Sequence, residues 1–297
     1  MAKILVLGAN GQLGSDLMKI FVNTTHEVCG LTQMDLDAAS VDAASQLANY
    51  TGYDYVINCI ATTNVDGCED NPDLAFVLNS AFVVKLAKFC QEQQSILIQI
   101  STDYVLDGTT DKPILETAKP NPLNVYGLSK YAGEIAVNSN CNKYFILRVA
   151  SLFGIAGAAG KGGNFINTML RLANEKDSWQ VIDDQFSSPT HTLDVAQAIC
   201  SLIDDKITDF GIYNCVSSTG CSWYEFTREI LSLSGLNPDK VKRVSYKDYQ
   251  FKAKRPQYTI LDNSKLAKYH VMPDYKQALE EYLKLKQMIN KNERTNA

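Results

Sequence analysis

In the run Tyr126-Gly127-Leu128-Ser129-Lys130 a phenol stands four residues ahead of an ammonium, on a segment that reads as helix. That spacing puts both groups on one face, about one turn apart. A cation there favours the phenolate, lowering the phenol pKa from about 10 toward a value useful for proton transfer. A second hydroxyl comes from Thr102, at the end of the strand-like run Ile98-Gln99-Ile100-Ser101-Thr102-Asp103. Together these groups can give or take a proton at a carbonyl or alcohol oxygen. None of them can carry a hydride.

A site for the carrier is written at the other end of the chain. Lys3-Ile4-Leu5-Val6-Leu7 is a short apolar, β-prone run, followed at once by Gly8-Ala9-Asn10-Gly11-Gln12-Leu13-Gly14 and a helix-like segment. Glycines so placed allow a tight turn, close approach of backbone to a pyrophosphate and close helix packing, while the free N–H groups of the helix start attract the anion. The spacing G-x-x-G-x-x-G, joined to Tyr-x-x-x-Lys, resembles the extended short-chain dehydrogenase/reductase family.

The rest of the chain has to position these parts. Strand-like and helix-like segments alternate through the first half, and Tyr53 to Ala61 is a near-continuous apolar run suited to a strand buried on both faces. This predicts an α/β fold: a Rossmann-type doubly wound parallel sheet over 1–150, with a smaller C-terminal substrate-binding lobe over 151–297 interleaved with the end of the first domain. The loop after Ala61 leaves the carboxyl end of the sheet, and a helix is expected from Asn79 to Gln91. Prolines 113, 120 and 122 keep the segment before Tyr126 irregular. The Gly/Ala-rich stretch from Gly154 to Gly163 reads as a loop, either a lid or a plain connection, and Asn164 as the cap of a helix from Phe165.

Composition excludes several classes. In 297 residues the net charge is −5, so there is no basic field for nucleic acid or anionic lipid. The longest apolar runs are strand-sized and the first strand begins at once, from which a cytoplasmic protein with neither leader nor membrane span is expected. Eight scattered cysteines without a C-x-x-C pair read as small apolar residues. Three isolated histidines suggest no metal site.

At the end of the second strand, where NAD-preferring sites carry an acid, stands Thr32, followed by Gln33. No arginine is present to grip a 2′-phosphate either. NADPH is the expected cofactor, with NADH as the second choice. Asp35 and Leu36 either flank the adenosine or belong to a surface loop.

Several stretches together resemble the dTDP-4-dehydrorhamnose reductases: Ser101-Thr102-Asp103-Tyr104-Val105, Pro122 to Lys130 with Gly133-Glu134, Gly163-Asn164-Phe165, Asp184-Gln185 with Pro189-Thr190, and Arg255-Pro256 with Leu261-Asp262. The resemblance implies reduction of the C4 ketone of a nucleotide-linked 6-deoxysugar. In it Tyr126 is the proton donor, Lys130 holds the nicotinamide ribose and lowers the tyrosine pKa, and Thr102 binds the substrate oxygen. Gly8, Gly11, Gln12, Leu13 and Gly14 belong to the pyrophosphate turn, Thr32, Asp35 and Leu36 to the adenosine side, and Ala61, Thr62 and Thr63 to the ribose side. Asp103, Ser151, Asn164, Phe165 and Arg255 fall to the sugar nucleotide, and a homodimer is what the family suggests.

Sister 4,6-dehydratases place Asp-Glu after the threonine, whereas here Asp103 is followed by Tyr104. Three departures from the reductases fall on the substrate side. Ser151-Leu152-Phe153 stands where a tryptophan is expected, Val65-Asp66-Gly67 where Val-Asp-Lys is, and Phe186 is followed by Ser187 rather than glycine. A different sugar or base therefore stays open, as do an epimerase and a regulatory subunit like the β subunit of methionine adenosyltransferase.

Overall fold

The computed structural model describes residues 1–157 and 163–295. The expected loop from Gly154 to Gly163 therefore lies partly outside the described residues, as do the last two positions of the chain. Strands β1 (Lys3–Leu7), β2 (Glu27–Leu31), β3 (Tyr55–Asn58), β4 (Ile96–Thr102) and β5 (Tyr144–Val149) are joined by Gly211–Asn214 in one parallel sheet. Its order is Gly211–Asn214, β5, β4, β3, β1, β2. The order reverses at β1, which places a ligand crevice outside the carboxyl ends of β1 and β3. Helices follow in chain order as α1 (Gln12–Phe21), α2 (Ala43–Leu47), α3 (Val65–Asp70), α4 (Pro72–Phe76), α5 (Phe82–Gln93), α6 (Val125–Asn140), α7 (Phe165–Glu175), α8 (Thr192–Asp204), α9 (Trp223–Leu233) and α10 (Tyr275–Thr295).

The two-residue period of β1 decides which core each side chain joins. Ile4 and Val6 face Leu17 and Phe21 of α1 and Val195, Ile199 and Leu202 of α8. Leu5 and Leu7 face Leu47 of α2, Val83 and Leu86 of α5 and Val137 of α6. With both faces covered, all four residues of β3 are buried.

Beyond β5 the chain builds a lobe around Phe153, Ile166, Phe226, Ile230 and Tyr282, and returns to the sheet between 192 and 214 to add α8 and the edge strand. A small sheet of Cys221–Ser222, Phe186–Ser187 and Tyr258–Thr259 forms the side of the lobe that meets β4.

Local signals explain where elements depart from expectation. The loop after Ala61 is short, because Asn64 accepts from the Gly67 N–H and starts α3, and Asn71 accepts from Leu74 and starts α4 with Pro72 in its first turn. A π-helical turn, Val77–Ala81, then precedes α5, whose α-helical part begins at Phe82 rather than Asn79. The backbone of α10 runs to Thr295, past Asn290, where a frayed tail is expected; no glycine or proline stops it.

Candidate active site

Tyr126 lies in the first turn of α6, a helix capped by Asn124, whose Oδ1 accepts from the Gly127 N–H at 2.7 Å. Lys130 follows one turn later and is buried. Its Nζ donates to the Ile100 carbonyl of β4 at 2.6 Å, and burial brings its pKa down to about 8 although the Glu134 carboxylate opposes the fall. Thr102, the last residue of β4, stands beside the Tyr126 phenol. The sequence brings these three groups together as expected, with one correction. Burial pushes the phenol pKa up and the charge of Asp103 adds to the rise, while the Lys130 ammonium donates to the Ile100 carbonyl. Tyr126 is therefore a protonated acid rather than a poised phenolate.

The glycine turn is built for an anion. Gly8 has a left-handed backbone (φ +77°), and a Cβ on Gly14 would lie 2.1 Å from the Gly8 carbonyl. The N-cap of α1 is Gly11, with no side chain over the helix start, so the first N–H groups, those of Gln12, Leu13 and Gly14, face outward as a cradle that fits a pyrophosphate. The Leu13 side chain is buried in the core beneath it, which leaves its backbone for the ligand. Gln12 donates its amide to the Leu152 carbonyl at 3.2 Å. The turn abuts Cys59 and Ile60 at the end of β3, and Cys59 in turn sits within the field of Lys130. Cradle and α6 therefore meet at the crevice.

Two adenosine-side expectations change. Asp35 folds back so that its carboxylate accepts from the Thr32 N–H at 2.9 Å and the Thr32 hydroxyl at 2.8 Å, bonds that hold its pKa below the usual range. The end of β2 thus does carry an acid, supplied from three residues further on. Leu36 packs in the core with Leu5, Leu7 and Leu31, so its side chain does not line a ligand.

On the substrate side, Asp103 is buried and accepts from Thr102 at 3.0 Å and from Thr259 at 2.6 Å. Both carboxylate oxygens are thereby committed inside the protein, rather than offered to a sugar hydroxyl. Ser151, just past β5, takes a left-handed backbone (φ +44°) and places its hydroxyl 2.8 Å from that of Ser187. Arg255 is held by Asp66 through two contacts, at 2.7 and 3.2 Å, and lies over the Phe251 ring at 4.0 Å. Its guanidinium ties the 246–256 segment to α3 instead of standing free for a diphosphate, and the pairing lowers the Asp66 pKa. Asn164 spends its amide on capping α7 and on the Gly154 carbonyl and Tyr282 hydroxyl, and Phe165 packs against Trp223 and Phe226. Both serve the lobe's interior. Beside the small sheet opens a groove of about 700 Å³ whose lining includes Gly108, Asp111, Asp184, Phe186 and Tyr258.

The family model described as the RmlD substrate binding domain matches residues 2–288. The chain belongs to that family. The spore coat polysaccharide biosynthesis protein SpsK of Bacillus subtilis is 34% identical to this RmlD-family chain, over 95% of it and 97% of SpsK. The crystal structure of a dTDP-4-dehydrorhamnose reductase from Clostridium acetobutylicum superimposes with a TM-score of 0.89 at 37% identity, covering 96% of this chain and 99% of that one. A dTDP-4-dehydrorhamnose reductase from Bacillus anthracis, solved in complex with NADP, gives 0.87 at 33% identity over 95% and 98%.

Around Tyr126 stand further buried polar residues that no motif marks. Asn79, in the π-helical turn, accepts from the Thr62 N–H at 3.1 Å and donates both to the Thr62 carbonyl at 3.2 Å and to the Ser129 hydroxyl at 3.0 Å. Ser129 in turn donates to the Tyr126 carbonyl at 2.8 Å. The Ala61–Thr63 loop is thereby tied to α6 through one buried amide. A lone asparagine within an apolar helical run is the signal for it. Among the described residues, no cluster of three His, Cys, Asp or Glu could hold a metal ion, and no helix is long and apolar enough to cross a membrane.

Proposed function

We propose that this chain reduces the C4 ketone of a nucleotide-linked 6-deoxysugar, dTDP-4-dehydrorhamnose being the first candidate, with NADPH as cofactor. The observation that carries the reading is the convergence of Thr102, Tyr126 and Lys130 at the carboxyl end of β4, beside a glycine cradle of pyrophosphate size. Membership of the RmlD family and the NADP-bound relative support both reaction and cofactor. NADH serves as a second donor, since the Asp35 carboxylate offers acceptors to ribose hydroxyls at the end of β2.

The bound nicotinamide supplies the hydride. Tyr126, protonated at neutral pH, gives its proton to the oxygen that gains charge as the ketone is reduced. Thr102 holds that oxygen beside the phenol. Lys130, cationic on average near pH 7 with its pKa about 8, offsets the charge left on Tyr126 and is the group that would hold the nicotinamide ribose. The groove lined by Asp184, Phe186 and Tyr258 takes the nucleotide end of the substrate, with Phe186 and Tyr258 offering aromatic faces to a base. The working unit is a homodimer.

The test supplies NADPH, then NADH, with a panel of 4-keto sugar nucleotides and measures oxidised cofactor against product. Stoichiometric oxidation with dTDP-4-dehydrorhamnose is the expected result. Conversion of the sugar without net cofactor oxidation would instead identify an epimerase.

A further inference from the structure

Three buried groups connect the lobe to the reacting end of the site. Thr259 of the small sheet donates to Asp103 Oδ2 at 2.6 Å, and Thr102 donates to Asp103 Oδ1 at 3.0 Å. All three are at most 4% exposed. Thr259 touches neither Tyr126 nor Lys130 in the hydrogen bonds it makes, and its other contact is the Phe186 carbonyl at 3.4 Å.

A hydroxyl has one proton to give and two lone pairs with which to accept. Thr102 accepts from the Tyr104 N–H at 3.2 Å and gives its proton to Asp103. While Asp103 is ionised, Thr102 therefore has only acceptor capacity left for the phenol and for the substrate. A ketone oxygen is itself only an acceptor, so that state withholds a donor from it. When Asp103 takes up a proton from solvent, the carboxyl becomes the donor and the Thr102 O–H turns toward the substrate oxygen. The proton stays on Asp103 throughout turnover, and the one that completes the alcohol comes from Tyr126.

We infer that Thr259 is a positioning residue for the reduction, acting through Asp103 to set which way the Thr102 hydroxyl proton points. This rests on the proposal that Thr102 holds the substrate oxygen. Thr259 favours the ionised carboxylate by donating to it, and once the carboxyl is neutral it can turn its own proton to the Phe186 carbonyl.

The balance falls in a useful range. Burial raises the Asp103 pKa to about 6, with Thr259 and Thr102 limiting the rise. The phenols of Tyr104 and Tyr126 stand around the carboxylate; burial raises both, and its charge adds to the rise. Behind Tyr104 lie Arg255 and Tyr246, and behind Tyr126 the Cys68 thiol. Loss of one hydrogen bond to a carboxylate corresponds to about one pH unit.

The test is the pH dependence of kcat for ketone reduction in wild type, Thr259→Val and Thr259→Ser, with Thr259→Ala replacing valine should that variant not fold. Wild type is expected to gain activity as pH falls through about 6. In Thr259→Val the inflection moves up by about one unit, with KM changed less than about twofold because the side chain makes no substrate contact. Thr259→Ser keeps the wild-type profile. An inflection that stays in place or moves down in the valine variant would overturn the inference, as would a serine variant that behaves like valine. Carbon-13 NMR titration of the Asp103 carboxyl in the cofactor-free protein gives a second reading. An upward shift in Thr259→Val supports the link and no shift refutes it. An upward shift without turnover of any sugar nucleotide by wild type would fault the assigned reaction and leave the link intact.

Discussion

The two sides of the crevice are built from different materials. The cofactor side is mostly backbone: N–H groups at the start of α1, a left-handed Gly8, and Gly14 against the Gly8 carbonyl. The substrate side is made of side chains reaching between distant segments: Thr259 to Asp103, Arg255 to Asp66, and Ser187 to Ser151. A backbone cradle tolerates almost no added atom, whereas side-chain links can be exchanged one at a time. The first side is therefore suited to a constant ligand and the second to a changing one.

The most severe way to probe that contrast is to fill the cradle. Gly14→Val puts carbon where the Gly8 carbonyl stands and should weaken NADPH binding by at least a hundredfold, about 3 kcal/mol, in calorimetric titration. Binding within tenfold of wild type would mean that the cradle gives more easily than close backbone packing allows.

Arg255→Leu sharpens the other side. Because the guanidinium is tied to Asp66, which is itself partly exposed, the expected loss is about 1 kcal/mol of stability in urea unfolding, with KM for the sugar nucleotide changed only a few-fold. A KM raised by more than about tenfold at unchanged stability would return Arg255 to the sugar-nucleotide role that the resemblance implies.

The smallest effect belongs to Asp35→Asn. Removing a carboxylate from the end of β2 should raise the preference for NADPH over NADH by about two- to fivefold, through loss of screened repulsion of the 2′-phosphate. A ratio of kcat/KM values that stays level would place the adenosine away from Thr32.

What could be read in the sequence follows the same division. Gly8 to Gly14, and Tyr126 with Lys130, are local patterns in which spacing alone determines what meets, and Thr102 is placed by the strand that ends on it. Thr259 and Asp103 are 156 residues apart, and Arg255 and Asp66 are 189. No periodicity links such pairs, so Asp103 and Arg255 look available in the sequence and are engaged in the fold. Lys130 misleads in another way, since its partner is the backbone carbonyl of Ile100, and every residue type carries one of those. Asp35 reaches Thr32 only because the chain turns after β2, and α3 and α4 are short enough that their asparagine caps, Asn64 and Asn71, outweigh any apolar stripe.

The most direct test of the central claim compares Tyr126→Phe with wild type in two assays, NADPH binding by calorimetry and reduction of dTDP-4-dehydrorhamnose. In the proposed mechanism the phenol donates the proton, and the glycine cradle holds the dinucleotide without it. The expected result is a kcat lower by about 10²- to 10⁴-fold with the NADPH Kd within about twofold of wild type. Turnover retained near the wild-type rate would contradict the assignment of Tyr126 as the acid.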